Sequence, residues 1–294
     1  METLFPPSQK KSGFFALPRT VRLAIYLPFC VVLFFFFIRA MEWKMTHHPV
    51  SFDSDNPKWV LPRNAEEAWL TTADGVKLHA WFLRARQQPT KGTVLYSHGN
   101  GGNLTYVRGT AETLAQRGLD VLIYDYRGYG RSEGSEPNET ELYADGDAAY
   151  EYLTKTRGVP PSQLVLYGLS LGTTVATDLA SRRPCQALVL EAPLSSASDM
   201  ATATLPLIPA QLHWILRNRF ESARKIATVK CSVLITHGDA DEVIPVEQGR
   251  KVFAAAPEPK KLLIVPRGTH WLLNEQGYFD AVVDFIHTNL AGKQ

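Results

Sequence analysis

The chain has 294 residues, 45% hydrophobic and 20% charged, with a formal net charge of +2. That length and balance suit one large globular domain with a short appendage, and they exclude a disordered chain. Residues 1–45 carry six Lys or Arg against two Glu, so the remainder is weakly acidic and offers no basic face for nucleic acid.

Residues 1–22 read as a basic tail. Leu23 to Ile38 is an uncharged run, LAIYLPFCVVLFFFFI, bounded by Arg22 and Arg39. As a helix its sixteen residues reach about 24 Å, slightly short of a ~30 Å hydrocarbon core. Snorkelling arginines and an interfacial Trp43 cover the difference, and membrane helices tolerate a proline such as Pro28. A cleaved signal peptide fits less well, because Arg39-Ala40-Met41 is a poor cleavage site. A core helix fits least, because four consecutive Phe leave no polar face. The run 23–38 is therefore read as a membrane anchor with the lipid bilayer as its partner. Lys10, Lys11, Arg19 and Arg22 precede it, whereas Arg39 and Lys44 follow with Glu42 between them. The positive-inside rule then expects a cytoplasmic N-terminus and a main domain on the other side. Residues 39–65 read as a linker, and 66–294 as the domain.

Within the domain, Ala68–Thr71 and Val76–Arg84 read as strands joined by an Asp74-Gly75 hairpin turn. The short apolar runs Thr93–Ser97, Val121–Asp125, Leu164–Tyr167, Ala187–Leu190, Val233–Thr236 and Leu262–Val265 follow. Runs of this kind fit strands buried on both faces of a parallel sheet. Helical patterns alternate with them at about Leu104–Arg117, Glu139–Thr156, Leu171–Arg182, Val246–Ala256 and Glu275–Leu290. The series predicts a three-layer α/β domain with a mostly parallel sheet. Residues 194–228 break the rhythm with Leu205-Pro206-Leu207-Ile208-Pro209 and the helix-like QLHWILRNRF. This insertion reads either as a lid or as a packed helical excursion.

Gly168-Leu169-Ser170-Leu171-Gly172 follows a predicted strand and opens a predicted helix, the context of a G-x-S-x-G nucleophile elbow. Small neighbours are needed where the backbone turns sharply, and the serine then stands at a helix N-terminus that favours a developing anion. Ser170 needs a base. His270 follows the last predicted strand, which keeps the chain order Ser…Asp…His of such domains. His237 reads as a residue shaping its own loop, and His79 as an ordinary strand residue. The acid is expected in His237-Gly238-Asp239-Ala240-Asp241-Glu242, where Asp239, Asp241 and Glu242 all stay open on spacing. An oxyanion hole takes one backbone N–H from Leu171 and one from the loop His98-Gly99-Asn100-Gly101-Gly102-Asn103, for which Asn100 is the candidate. In Asp125-Tyr126-Arg127-Gly128-Tyr129-Gly130-Arg131-Ser132, the arginine and aspartate read as an ion-paired brace, and Ser132 has no evident partner.

HGNGGN at 98–103, DYRGYGRSEG at 125–134, GLSLG at 168–172, HGDADEVIP at 237–245 and GTH at 268–270 together resemble the α/β-hydrolase fold superfamily. The sequence is similar to its membrane-anchored branch, which includes bud-emergence-type and depalmitoylating hydrolases. The resemblance spans roughly residues 66–290. It implies an eight-stranded, mostly parallel sheet, a serine hydrolase and, as for most members, no cofactor; the anchor and the apolar 194–228 segment fit an ester or thioester of a small-molecule or acylated substrate. In its pattern the fifth residue of the HGxxDxxIP segment is the triad acid, so the resemblance selects Asp241. Trp271-Leu272-Leu273 departs from the short polar pair that often follows the histidine, and suggests an apolar wall beside it. A peptidase or amidase on the same residues is the alternative, and a non-catalytic scaffold the distant one.

Three cysteines with no CxxC pair argue against zinc or iron–sulfur ligation. The implied fold makes the strands after Cys185 and Cys231 parallel neighbours, which sets the two side by side at the edge opposite the serine. They are expected as packed thiols, or as a disulfide if the domain faces an oxidising compartment. Asn103-Leu104-Thr105 and Asn138-Glu139-Thr140 match the glycosylation pattern, the first within the expected active-site loop.

Overall fold

The computed structural model describes residues 18–206, 208–272, 275 and 277–291. Lys10 and Lys11 of the basic tail lie outside them, as do Leu207 and Leu273. In chain order the elements are α1 (Arg19–Thr46), β1 (His48–Pro49), β2 (Ala65–Thr71), β3 (Lys77–Leu83), β4 (Thr93–Ser97), β5 (Gly101–Gly102), α2 (Arg108–Gln116), β6 (Asp120–Tyr124) and α3 (Glu139–Glu151). There follow β7 (Leu164–Leu169), α4 (Gly172–Arg182), β8 (Ala187–Glu191), α5 (Ala197–Thr204), α6 (Ser222–Ile226), β9 (Ser232–Gly238), α7 (Val246–Ala255), β10 (Lys260–Val265) and α8 (Tyr278–Ala291).

Among the described residues eight strands form one sheet in the order β10-β9-β8-β7-β4-β6-β3-β2. From β10 to β6 every neighbouring pair is parallel, and β3 and β2 close the far edge antiparallel. Alternation along each strand feeds two cores. On β7, Leu164 and Leu166 join Leu142 of α3 and Val175 of α4, whereas Val165 and Tyr167 join Leu114 of α2 and Ile286 of α8. The three-layer α/β fold expected from the apolar runs is the fold observed, because strands buried on both faces leave that signature in sequence.

Two features of the amino-terminal region differ from the reading above. The helix does not stop at Ile38; α1 continues through Arg39 to Thr46. Beyond Arg39 the segment mixes Glu42, Lys44 and Thr46 with Met41, Trp43 and Met45, so no apolar run betrays it. The following residues are not a free linker either. β1 pairs in parallel with β5, with His48 opposite Gly101 and Pro49 opposite Gly102. The strap goes on: Val50 N–H donates to Gly102 at 2.9 Å, Gly130 N–H to Val50 at 3.1 Å and Phe52 N–H to Gly130 at 3.0 Å. It thus threads between the 98–103 and 125–134 loops.

Cys185 and Cys231 lie just before β8 and β9, their sulfurs 3.2 Å apart as free thiols. Both sequons act as helix caps. Asn138 accepts from Thr140 and Glu141 N–H at the start of α3, and buried Asn103 accepts from Thr105 N–H.

Candidate functional site

Parallel strands bring all their carboxyl ends to one edge, so the loops after β4, β7, β9 and β10 share that edge. Ser170 lies between β7 and α4 with φ +53°, a left-handed conformation that costs a non-glycine residue ~1–2 kcal/mol. Ser170 N–H donates to Glu191 at 2.9 Å, and the Thr173 hydroxyl donates to the Ser170 carbonyl at 2.6 Å. Crowding explains the flanking glycines. A Cβ on Gly172 would stand 2.0 Å from the Ser97 carbonyl oxygen, and one on Gly168 would stand 2.4 Å from the Gly172 oxygen. The strained turn is thus held by close backbone packing beneath a buried Ser170 side chain.

At the ends of β9 and β10, His270 Nδ1 lies 2.8 Å from Asp241 Oδ2. The other carboxylate oxygen accepts Val243 N–H at 2.8 Å and Ile244 N–H at 2.9 Å. His237 Nε2 lies 3.3 Å from Oδ2 and 2.8 Å from the Ile244 carbonyl, so it braces the acid as well as its own loop. Burial opposes ionisation of Asp241, but the contacts with His237 and His270 outweigh it and hold its carboxyl well below the usual range. Asp239 instead accepts Arg267 N–H at 2.5 Å, and Glu242 is exposed. Asp241 and His270 are therefore brought together. Among the described residues no hydrogen bond joins His270 to Ser170. Trp271 meets the His270 ring edge-on at 5.6 Å but is itself largely exposed, and Leu272 is buried.

Gly99 passes close to Ser170: a Cβ there would be 3.5 Å from the serine Cβ. The adjoining Asn100 carbonyl accepts His48 N–H at 2.9 Å and the Tyr129 hydroxyl at 3.0 Å. Among the described residues the N–H groups of Asn100 and Leu171 donate to no protein acceptor, which leaves both available to a ligand.

The brace on the neighbouring loop has other partners than expected. Arg127 pairs with Asp145 at 2.7 Å and Asp74 at 2.8 Å, not with Asp125. Asp125 is fully buried and accepts Leu104 N–H at 2.6 Å, with His79 and His98 each 3.8 Å away. Ser132, unassigned above, donates to the Asp125 carbonyl and accepts His79 N–H. One residue near the site escaped the sequence reading. Glu191, at the end of β8, is buried and accepts the Tyr167 hydroxyl at 2.6 Å. Burial raises its pKa above the usual carboxylate range. A lone acid closing the apolar strand ALVLE was the available signal.

Ser170 opens into a cavity of ≈ 220 Å³. One wall is the 194–228 insertion, through residues such as Met200, Leu212 and Phe220; another is the end of α1. Glu42 is the one acid lining it among the described residues, and its oxygens accept Arg217 and Asn218 N–H at 2.7 Å each.

A family described as serine aminopeptidase, S33, matches residues 88–225. An uncharacterised Mycobacterium tuberculosis protein, Rv2307c, is 33% identical over 253 residues, covering 85% of this chain and 89% of that one. The α/β hydrolase domain-containing protein aho-3 of Caenorhabditis elegans is 38% identical over 179 residues, 60% of this chain and 52% of that one. Among solved structures, the Pyrococcus furiosus esterase Pf2001 superposes with a TM-score of 0.62 at 18% identity, covering 83% of this chain and 97% of the esterase. At that identity the likeness is one of fold.

Proposed function

The chain belongs to the α/β-hydrolase superfamily, and on that premise we propose that it is a membrane-anchored serine hydrolase cleaving carboxylic ester or thioester bonds. The observation that carries this reading is Ser170, held in a left-handed turn at the head of α4 and opening into an apolar cavity. In the proposed reaction Ser170 Oγ attacks the acyl carbonyl and His270 Nε2 takes its proton. Asp241, against Nδ1, fixes the tautomer and stabilises the imidazolium. Ser170 and His270 must close to hydrogen-bonding reach for that transfer. The N–H groups of Asn100 and Leu171 receive the oxyanion, and water then releases the acyl group from Ser170.

The matched family's description raises aminopeptidase chemistry as a second reading. That chemistry needs an acidic group free to hold a substrate ammonium. Glu42, the acid lining the cavity among the described residues, is already engaged by two backbone N–H groups. This favours the ester reading.

α1 is long and apolar enough to cross a membrane. We assign it as a single-pass anchor, with the N-terminus cytoplasmic and the hydrolase domain on the opposite side. Protease protection in sealed vesicles tests that orientation. The activity is tested on the full-length protein in detergent, with a fluorophosphonate probe, p-nitrophenyl esters from acetyl to palmitoyl, and aminoacyl naphthylamides. Ser170 should be labelled, Ser170→Ala should not, and esters should turn over. An unlabelled wild type would refute the reading, and amide turnover exceeding ester turnover would transfer it to the peptidase.

A further inference from the structure

Ile38, Met41, Glu42, Met45 and Thr46 fall at i, i+3, i+4, i+7 and i+8, a single stripe of α1, and all five line the cavity that holds Ser170. Ile38 is the buried residue of α1 among the described residues. The apolar side chains before it, such as Leu33, Phe36 and Phe37, are exposed to whatever surrounds the helix. The stripe therefore begins where the uncharged run ends. From Arg22 to Arg39 the helix rises about 26 Å, close to the ~30 Å thickness of a hydrocarbon core. Ile38 then lies at the boundary between acyl chains and headgroups, and the cavity starts at that level.

Two further observations agree. Trp43 on α1, Trp214 on the turn Ala210–Ile215 and Trp271 beside His270 are all largely exposed, and each stands on an element bordering the site. Tryptophan in such positions suits a membrane–water interface. Glu42 ties the helix to the insertion through Arg217 and Asn218 N–H, so the α1 wall is held in place and is not a chance approach. An acyl chain entering this cavity from a bilayer would exchange one largely apolar surrounding for another.

We propose that the last two turns of α1 are one wall of the acyl site, and that the substrate is the long-chain acyl ester of a membrane-resident amphiphile. Its chain passes from the bilayer along Ile38, Met41 and Met45 until its carbonyl meets Ser170. The proposal rests on the ester-hydrolase reading above and names its substrate class.

The test uses full-length protein in phosphatidylcholine nanodiscs and compares kcat/KM for p-nitrophenyl palmitate with that for p-nitrophenyl butyrate. Both are measured on one preparation, so the fraction of folded enzyme cancels from the ratio. Met41→Trp and Met45→Trp fill the stripe and should each lower the palmitate-to-butyrate ratio at least about tenfold, as pocket-filling changes do. Phe37→Trp, on the exposed face, should keep the wild-type ratio. In a second arm, a monoacylglycerol carrying a palmitoyl chain is placed either in the same nanodisc as the enzyme or in separate discs. Hydrolysis should be at least about tenfold faster in the shared disc. An unchanged ratio in both stripe variants overturns the α1 wall, and equal rates in shared and separate discs overturn the bilayer route. Either failure with Ser170 still labelled by fluorophosphonate leaves the esterase reading standing. Loss of labelling in the wild type removes both.

Discussion

His48 N–H donates to the Asn100 carbonyl at 2.9 Å, joining the chain that leaves α1 to the loop proposed to receive the oxyanion. Tyr129 adds a second donor to the same carbonyl, and Val50 continues the ladder at Gly102. The peptide plane that carries the neighbouring loop amides is thus set partly by residues some fifty positions upstream.

His48→Pro removes that donor without altering Ser170, Asp241 or His270. An oxyanion donor contributes about 10²–10³ in kcat when present and aligned. We expect partial misplacement to lower kcat about tenfold or more on p-nitrophenyl butyrate, with a smaller change in KM. An unchanged kcat would mean that the loop keeps its shape without the strap.

The two aspartates of the HGDAD segment should separate by function. Asp241 contacts His270 at 2.8 Å, whereas Asp239 holds Arg267 N–H. Asp241→Asn should lower kcat by about 10³–10⁴, the scale expected when the base loses its tautomer. Asp239→Asn should lower it less than about tenfold. The reverse order would transfer the acid's role to Asp239.

Acid should loosen the strap. Burial drives the His47 pKa from 6.5 down to about 4, beside the Tyr129 hydroxyl at 3.2 Å. Between those values the unfolded chain binds a proton that the folded chain does not. Stability therefore rises with pH across this window and is lost as pH falls from 6.5 toward 4. Over the roughly 2.5 units between those values, at 1.36 kcal/mol per unit, the loss is about 3 kcal/mol. Thermal unfolding in detergent at pH 7 and pH 4.5 should show a larger drop for the wild type than for His47→Gln. Equal drops would exclude His47 as the sensitive group.

The Cys185–Cys231 pair should respond to oxidant. The hydrogen bond between them raises the pKa of Cys185, the donor, and lowers that of Cys231, the acceptor, which favours a nucleophilic sulfur on Cys231. Alkylation after denaturation should count three thiols in the reduced protein and one, Cys30, after mild treatment with diamide. Three thiols after oxidation would show that the pair stays unbridged.

Much of this architecture is legible in the sequence because its strands are buried on both faces and leave apolar runs such as the Leu-Val-Leu segments at 164–166 and 188–190. The serine turn is legible because crowding at Gly168 and Gly172 admits only glycine. The end of α1 is not. Ile38, Met41 and Met45 form a stripe only once the helix is known to pass Arg39, and their partners lie in an insertion more than 150 residues later. The strap is hidden for another reason: β1 and β5 are two residues each, too short for any periodicity. Spacing also left Asp239, Asp241 and Glu242 equivalent. Their distinction is a matter of which carboxylate meets a histidine from another loop.

The depth to which α1 and the strap enter the domain bears on how the protein could be regulated after synthesis. A protease cutting between Pro49 and Phe52 would liberate a fragment lacking part of its own cavity and one strand of its own loop. Shedding into solution and inactivation would then be a single event. Hydrolysis would stay confined to the surface on which the chain was made, with no separate inhibitor needed to keep escaped copies silent.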